Sequence, residues 1–377
     1  MIPLSLYIHI PWCIRKCPYC DFNSHKSPEI LPEQHYVKAL VDDLKQDMAR
    51  FSNQTLDSIF IGGGTPSLFS ASAYADLFSE IQQLLPFTND IEITLEANPG
   101  TVEQSRFNDY RALGINRLSL GIQSFNPEHL RRLGRIHDEK QAHKAIDCAR
   151  QAGFDNINID IMHGLPGQSI AESLEDLRVG LSHDPEHLSW YQLTIEPNTV
   201  FYKTRPTLPN EDDAYVMEEE GLAMLRANQY NRYEISAFSK QNKQAQHNLN
   251  YWLFGDYYGI GAGAHGKLTT PDLKHVYRTR KHRQPVDYLN PDKPFLAGMD
   301  DINQRELLFE FMLNTTRLEQ AIKKSLITER TGLPYPALEA LLQQAASKGL
   351  VTMSEAHWQI TPFGRRYTND LQALFLP

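Results

Sequence analysis

The stretch LSLYIHIPWCIRKCPYC, residues 4–20, runs from an apolar segment straight into three closely spaced cysteines. Leu4 to Ile10 has the length and the Ile, Leu and Tyr content of a buried strand. Cys13, Cys17 and Cys20 follow it at the spacing C-x3-C-x2-C. Three thiolates suit three irons of a cubane [4Fe–4S] cluster and leave the fourth iron open to a chelating molecule. The competing reading is structural zinc, which takes four ligands. No fourth cysteine lies nearby, so His9 or His25 would have to complete such a site. Arg15 and Lys16 within the loop are expected to lower the thiol pKa values. The remaining cysteine, Cys148, stands alone in a helical segment and reads as a buried thiol.

Outward from this stretch the chain keeps a strand–helix rhythm. Strands are expected at Leu4–Ile10, Ser58–Ile61, Ile91–Ala97, Arg117–Gln123, Ile157–Met162 and Leu188–Thr194. Charged, periodic segments alternate with them: Glu33–Phe51, Ser70–Leu85, Thr101–Leu113, Pro127–Leu133 with Glu139–Ala152, Ser169–Ser182 and Glu211–Asn228. Ser70, Thr101, Asn126-Pro127 and Ser169 carry the chemistry of helix starts. Six βα units predict an α/β fold, a partial (β/α)6 barrel spanning residues 1–229, with its chemistry on loops after the strand C-termini. Residues 230–304 read as an irregular connection, with a flexible glycine-rich loop at Gly259–Gly266 and a basic run, KHVYRTRKHR, at 274–283. Residues 305–377 read as helices (Glu306–Leu318, Gln320–Thr331, Tyr335–Lys348), two short strands (Leu350–Met353, Trp358–Ile360) and a last helix, a C-terminal winged-helix-like domain.

Composition narrows the function classes. The chain has 377 residues, 41% hydrophobic and 22% charged, with 37 basic against 46 acidic residues, a net −9. That balance argues against nucleic acid or an anionic membrane as a partner. Residues 305–377 hold eight Lys/Arg and seven Asp/Glu, too even for a DNA-binding unit. No apolar run reaches the ~20 residues of a transmembrane helix. Four cysteines without a disulfide framework suggest a cytoplasmic protein.

The cysteine spacing after the first strand, with Gly62-Gly63-Gly64-Thr65-Pro66 after the second, resembles the radical-SAM superfamily. The strings YIHIPWC (7–13), CPYCDFNS (17–24), FIGGGTPSL (60–68), EANPGT (96–101), GIQSF (121–125), LGRIH (133–137) and MHGLPGQ (162–168) resemble the oxygen-independent coproporphyrinogen III oxidase group. Within that group the chain is similar to the HemW-type haem chaperones almost end to end. The oxidases have a further cysteine two residues after the third cluster cysteine, where this chain has Phe22, and a longer arm before the cluster. The resemblance therefore implies a haem chaperone without coproporphyrinogen III oxidase activity. The alternative is a radical-SAM oxidoreductase acting on a porphyrinogen.

What the resemblance implies at particular residues is as follows. Cys13, Cys17 and Cys20 hold the [4Fe–4S] cluster. S-adenosylmethionine (SAM) lies against Gly63, Gly64 and Thr65, with Tyr7 beside the adenine or the cluster. Glu96 at the end of the third strand and Asp160 within the fifth accept hydrogen bonds from ribose hydroxyls or an ammonium group, and Gln123 at the end of the fourth offers amide contacts. Arg135 grips the SAM carboxylate. His247-Asn248-Leu249-Asn250-Tyr251-Trp252 matches the HNxxYW pattern proposed for haem, with His247 as iron ligand, and the basic run at 274–283 would face the haem propionates. Client haem proteins, respiratory ones among them, are the implied macromolecular partners. A homodimer is left open.

Overall fold

The computed structural model describes residues 2–51, 55–101 and 104–377. Six parallel strands occur in chain order: β1 (Leu4–Ile10), β2 (Leu56–Gly63), β3 (Phe87–Ala97), β4 (Arg117–Gln123), β5 (Ile157–His163) and β6 (His187–Gln192). Helices connect them, as the rhythm predicts. The inner residues Leu6, Ile8, Ile59, Ile61, Leu95, Leu120, Ile159 and Ile161 are fully buried, which is why these strands read as continuous apolar runs. The helix starts follow from side-chain caps. Ser70 accepts from the Ala73 N–H at 3.3 Å, and Asn126 caps Pro127–Arg132. Ser169 and Glu172 form a reciprocal capping box. The start expected at Thr101 runs into residues 102–103, outside the described residues; the helix is described from Gln104 to Ala112.

Residues 230–304 are not irregular. They contribute six more strands, two at one edge of the sheet and four at the other. β7 (Asn231–Glu234) and β8 (Ala237–Ser239) extend the sheet beyond β6. At the opposite edge β9 (Asp256–Ile260) pairs parallel with β1, and β10 (His265–Thr269), β11 (Val276–Lys281) and β12 (Leu296–Asp301) continue antiparallel. The glycine-rich segment is thus the hairpin joining β9 to β10, not a free loop. Most of the basic run is strand β11, and three of its charges are paired within the chain. Lys281 is buried against Asp43 and Asp47, Arg278 pairs with Glu310, and Arg280 pairs with Asp300.

The C-terminal unit has helices Gln304–Thr315, Leu326–Thr331 and Pro336–Ser347, and a three-stranded sheet in the order Ile322–Lys323, His357–Ile360, Val351–Met353. The segment expected as one helix from Gln320 begins instead with the first of these strands. Its core, with Phe311, Ile327, Leu342 and Trp358, reaches across to Phe254 and Val276 of the sheet's wing. Among the described residues, no helix is long and apolar enough to cross a membrane.

Candidate functional site

The cysteine loop is clamped at both ends. Trp12–Cys13 pairs with His25–Lys26, the Trp12 ring stacks on Phe69 with centroids 5.9 Å apart, and the Cys20 N–H donates to Cys17 O at 3.2 Å to close a turn. The end of β2 seats on this loop: Gly64 N donates to Ile10 O at 2.7 Å and Thr65 N to Trp12 O at 2.8 Å. This contact explains the glycines. A Cβ on Gly64 would lie 2.6 Å from Trp12 O, and Gly63 has φ +111° with its would-be Cβ 2.5 Å from the His9 ring. They admit the neighbouring strand.

The three thiols are unpaired and face a cavity of about 440 Å³. Thr65 Oγ1 donates to Cys13 Sγ at 3.4 Å, Arg135 donates to Cys17 Sγ at 3.6 Å, and Cys20 Sγ lies 3.9 Å from Ser24 Oγ. Burial pushes the Cys13 and Cys20 thiols up, with Thr65 and the Phe22 N–H as the main opposing hydrogen bonds. The lowering expected from Arg15 and Lys16 does not dominate, because Lys16 reaches out to Phe22 O at 3.0 Å and its charge is a small contribution at Cys20.

Zinc fits this loop poorly. Neither His9 nor His25 lines the cavity. His9 is held on both ring nitrogens, by Tyr7 OH and by Asn23 O, each at 2.9 Å. Among the described residues, no three His, Cys, Asp or Glu side chains gather around a single ion position. Three separate thiols around one cavity suit a polynuclear cluster held by its corners.

Ten of the twelve residues named from the sequence line this cavity: the cysteines, Gly63, Gly64, Thr65, Glu96, Gln123, Arg135 and Asp160. Glu96 accepts from Gly63 N at 3.2 Å, and burial followed by the nearby Asp160 charge raises it to about 8. Gln123, in the left-handed region at φ +70°, accepts from Tyr191 OH at 2.8 Å. Asp160 accepts from Ser119 at 3.1 Å and Asn158 at 2.8 Å; burial raises it. Arg135 is anchored by Gly121 O at 2.6 Å, and its Nε is buried without a hydrogen-bond partner, an orphaned donor of the kind a ligand carboxylate would satisfy.

Tyr7 and His247 do not line it. Tyr7 sits behind the wall, stacked on Phe60 at 6.3 Å. His247, on the helix Gln246–Trp252, is 1% exposed, bonds Ser58 Oγ through Nδ1 at 3.1 Å and leaves Nε2 buried and unpartnered. Burial pushes its pKa down to about 3, with Arg117 adding to the shift. From the haem motif it is Asn248 and Trp252 that reach the cavity. Sequence reasoning missed Arg117, whose signal is its place in the alternation Arg117, Ser119, Gly121, Gln123 along β4, all four lining the cavity.

Residues 7–179 match the Radical SAM superfamily, and residues 302–367 match the HemN C-terminal domain. The chain is 47% identical over 378 residues to the heme chaperone HemW of Haemophilus influenzae, covering 99% of this chain and 98% of that one. Identity to heme chaperone HemW of Escherichia coli is 47% over the same shares, and to that of Bacillus subtilis 34% over 99% of both chains. Among solved structures, the coproporphyrinogen III oxidase HemN from Escherichia coli, a radical SAM enzyme, superposes with a TM-score of 0.83 over 99% of this chain and 90% of that one. At 23% identity that likeness bears on the fold alone. Near-complete coverage at 47% identity, with the cysteine loop on its barrel, assigns the family: the chain belongs to the HemW heme-chaperone family of the radical SAM superfamily.

Proposed function

We propose that the protein is a cytoplasmic haem chaperone that carries a [4Fe–4S] cluster and SAM and delivers haem to client haem proteins, respiratory ones included. The observation that carries this reading is one cavity bounded by three unpaired thiols at one side and by strand-end acceptors and Arg135 around its wall. Cys13, Cys17 and Cys20 would hold the cluster, whose open iron supplies a chelation point for the amino and carboxylate groups of SAM. Glu96 and Asp160 would accept hydrogen bonds from its ribose or ammonium, and Gln123 would give amide contacts. Arg135 would take the carboxylate with its planar fork while its bond to Cys17 ties that site to the cluster. Gly63, Gly64 and Thr65 form the wall beside the cysteines, and Tyr7 stiffens that wall through His9. Phe22, 60% exposed on the rim, stands where the oxidases have cysteine, which removes a thiol from the porphyrinogen chemistry.

For haem we propose His247 as iron ligand, on one physical condition. Its imidazole is sealed in the core, so ligation requires the His247 end of the helix Gln246–Trp252 to lift off β2 while its Trp252 end stays in place. The test is anaerobic reconstitution followed by haem titration, haem transfer to an apo-haem protein, and product analysis with coproporphyrinogen III, SAM and a reductant. Haem binding and transfer without protoporphyrinogen IX are expected. Robust turnover of coproporphyrinogen III would replace the chaperone reading by the oxidoreductase one.

A further inference from the structure

The end of the cavity away from the cysteines has a chemical character of its own. Arg117 and Gln123 face the same side of β4, six residues apart, about 20 Å along the strand at ~3.3 Å per residue. Gln123 is at the cluster end, and Arg117 is at the floor. Arg117 is only 2% exposed, its Nε has no hydrogen-bond partner, and among the described residues no carboxylate lies within ion-pairing distance of it. A buried guanidinium with no carboxylate in contact is costly unless something pairs with it.

Trp252 and Arg317, which also line this cavity, each carry a buried donor without a partner, Nε1 and Nε. The Arg317 guanidinium lies 4.2 Å over the Trp252 ring, which fixes these two relative to each other. The acids nearby are already engaged. Asp160 is held by Ser119 and Asn158. Glu234 accepts from Arg317 at 3.1 Å and from Ser236, and Glu92 accepts from His247 N at 3.2 Å. Arg317 is thus paired with Glu234, while Arg117 has no carboxylate in contact and meets Asp160 only at longer range.

We propose that this floor is a carboxylate-binding subsite, with Arg117 as the charge partner and the Nε–H of Arg317 and Nε1–H of Trp252 as further donors. On the haem-chaperone reading, on which this choice of ligand rests, the carboxylate is a haem propionate, the SAM carboxylate being taken by Arg135 at the cluster end.

The test titrates the anaerobically reconstituted full chain, Arg117→Gln and Trp252→Phe with haem, haem dimethyl ester and SAM. The wild type is expected to bind haem more tightly than the ester. Arg117→Gln should weaken haem roughly tenfold or more and erase the difference from the ester, with iron content and SAM affinity unchanged. Trp252→Phe keeps the ring, loses the N–H and should weaken haem several-fold with the ester unaffected; it decides the matter should Arg117→Gln not fold. A folded Arg117→Gln that binds SAM more weakly and haem as before overturns the propionate subsite. Wild-type affinities for both haem and SAM in folded Arg117→Gln overturn the subsite. A wild-type chain that binds no haem refutes the chaperone reading itself, whereas wild-type haem binding with no preference over the ester refutes the subsite alone.

Discussion

Phe60 and His247 lie stacked, their ring centroids 5.1 Å apart and their planes 28° from parallel. Phe60 belongs to β2, the strand that ends in the glycine triplet, and Tyr7 of the cysteine-bearing strand lies 6.5 Å from the same imidazole. The helix with the haem motif, the glycine wall and the strand feeding the cysteines therefore form one packed unit. Position 247 lies far from the barrel strands in sequence, which suggests independence from the SAM positions; in space it braces two of those strands.

The first prediction concerns the cysteines. Replacing Cys13, Cys17 or Cys20 by Ala removes one corner of the proposed cluster, so iron and acid-labile sulfide, about four of each in the wild type for a cubane, should fall to near zero. Cys148 is buried in the helix Glu139–Gln151, away from the cavity, and Cys148→Ala should keep the full complement. One tightly bound zinc and no sulfide in the wild type would end the cluster reading.

Glu96 gives the chain a pH signature. Its folded pKa, about 8, stands above the ordinary glutamate value of 4.5 because burial and Asp160 disfavour the carboxylate. Between those values the native state holds a proton that the unfolded state has released. Stability from this group is therefore full below pH ~4.5 and is lost as pH rises through about 8. Glu96→Gln, a permanently neutral isostere, should flatten that part of the curve. Urea unfolding of the cluster-free protein between pH 5 and 9 measures it, and identical slopes in the two proteins would refute the assignment.

Lys281 is buried between Asp43 and Asp47, 2.7 Å from the latter, and Asp43 also receives Tyr288 OH at 2.7 Å. Burial raises Asp43 to about 6 although Lys281 pulls it down. Lys281→Met leaves two carboxylates facing each other in the core. The expected loss is about 3–5 kcal/mol at pH 7, shrinking at pH 5 as the carboxylates take up protons. Chemical denaturation at both values reads it, and a loss that grows on acidification would contradict the pairing.

The barrel was legible because its strands are simple: apolar runs such as Leu4–Ile10 and Arg117–Gln123 match the observed elements end to end. The site was legible because its residues cluster at strand ends in short motifs. The wings were not. β10 and β11 contain Lys267 and Lys281, buried charges that look like solvent-facing loop residues until Asp256, Asp43 and Asp47 come into place from elsewhere in the chain. Arg117 escaped notice for a related reason, since a lone arginine opening a strand gives no local sign that its face turns into a cavity.

The final prediction returns to His247. The imidazole fills space against Phe60, Tyr7 and Tyr251, the last with centroids 4.6 Å away, and holds Ser58. His247→Ala opens a void and leaves the Ser58 hydroxyl with one partner fewer, so a loss of about 2–4 kcal/mol is expected without any haem present. Because the void abuts Tyr7 and Phe60, SAM affinity should fall as well, which a residue remote from the SAM wall would not cause. His247→Gln, closer in volume and able to bond Ser58, should restore much of the stability and the SAM affinity but not an iron–imidazole bond. The Soret band separates the two roles. In well-folded His247→Gln it should shift and the haem dissociation constant should rise, and an unchanged spectrum and affinity there would leave His247 a packing residue and turn the search for the ligand to His265 on β10.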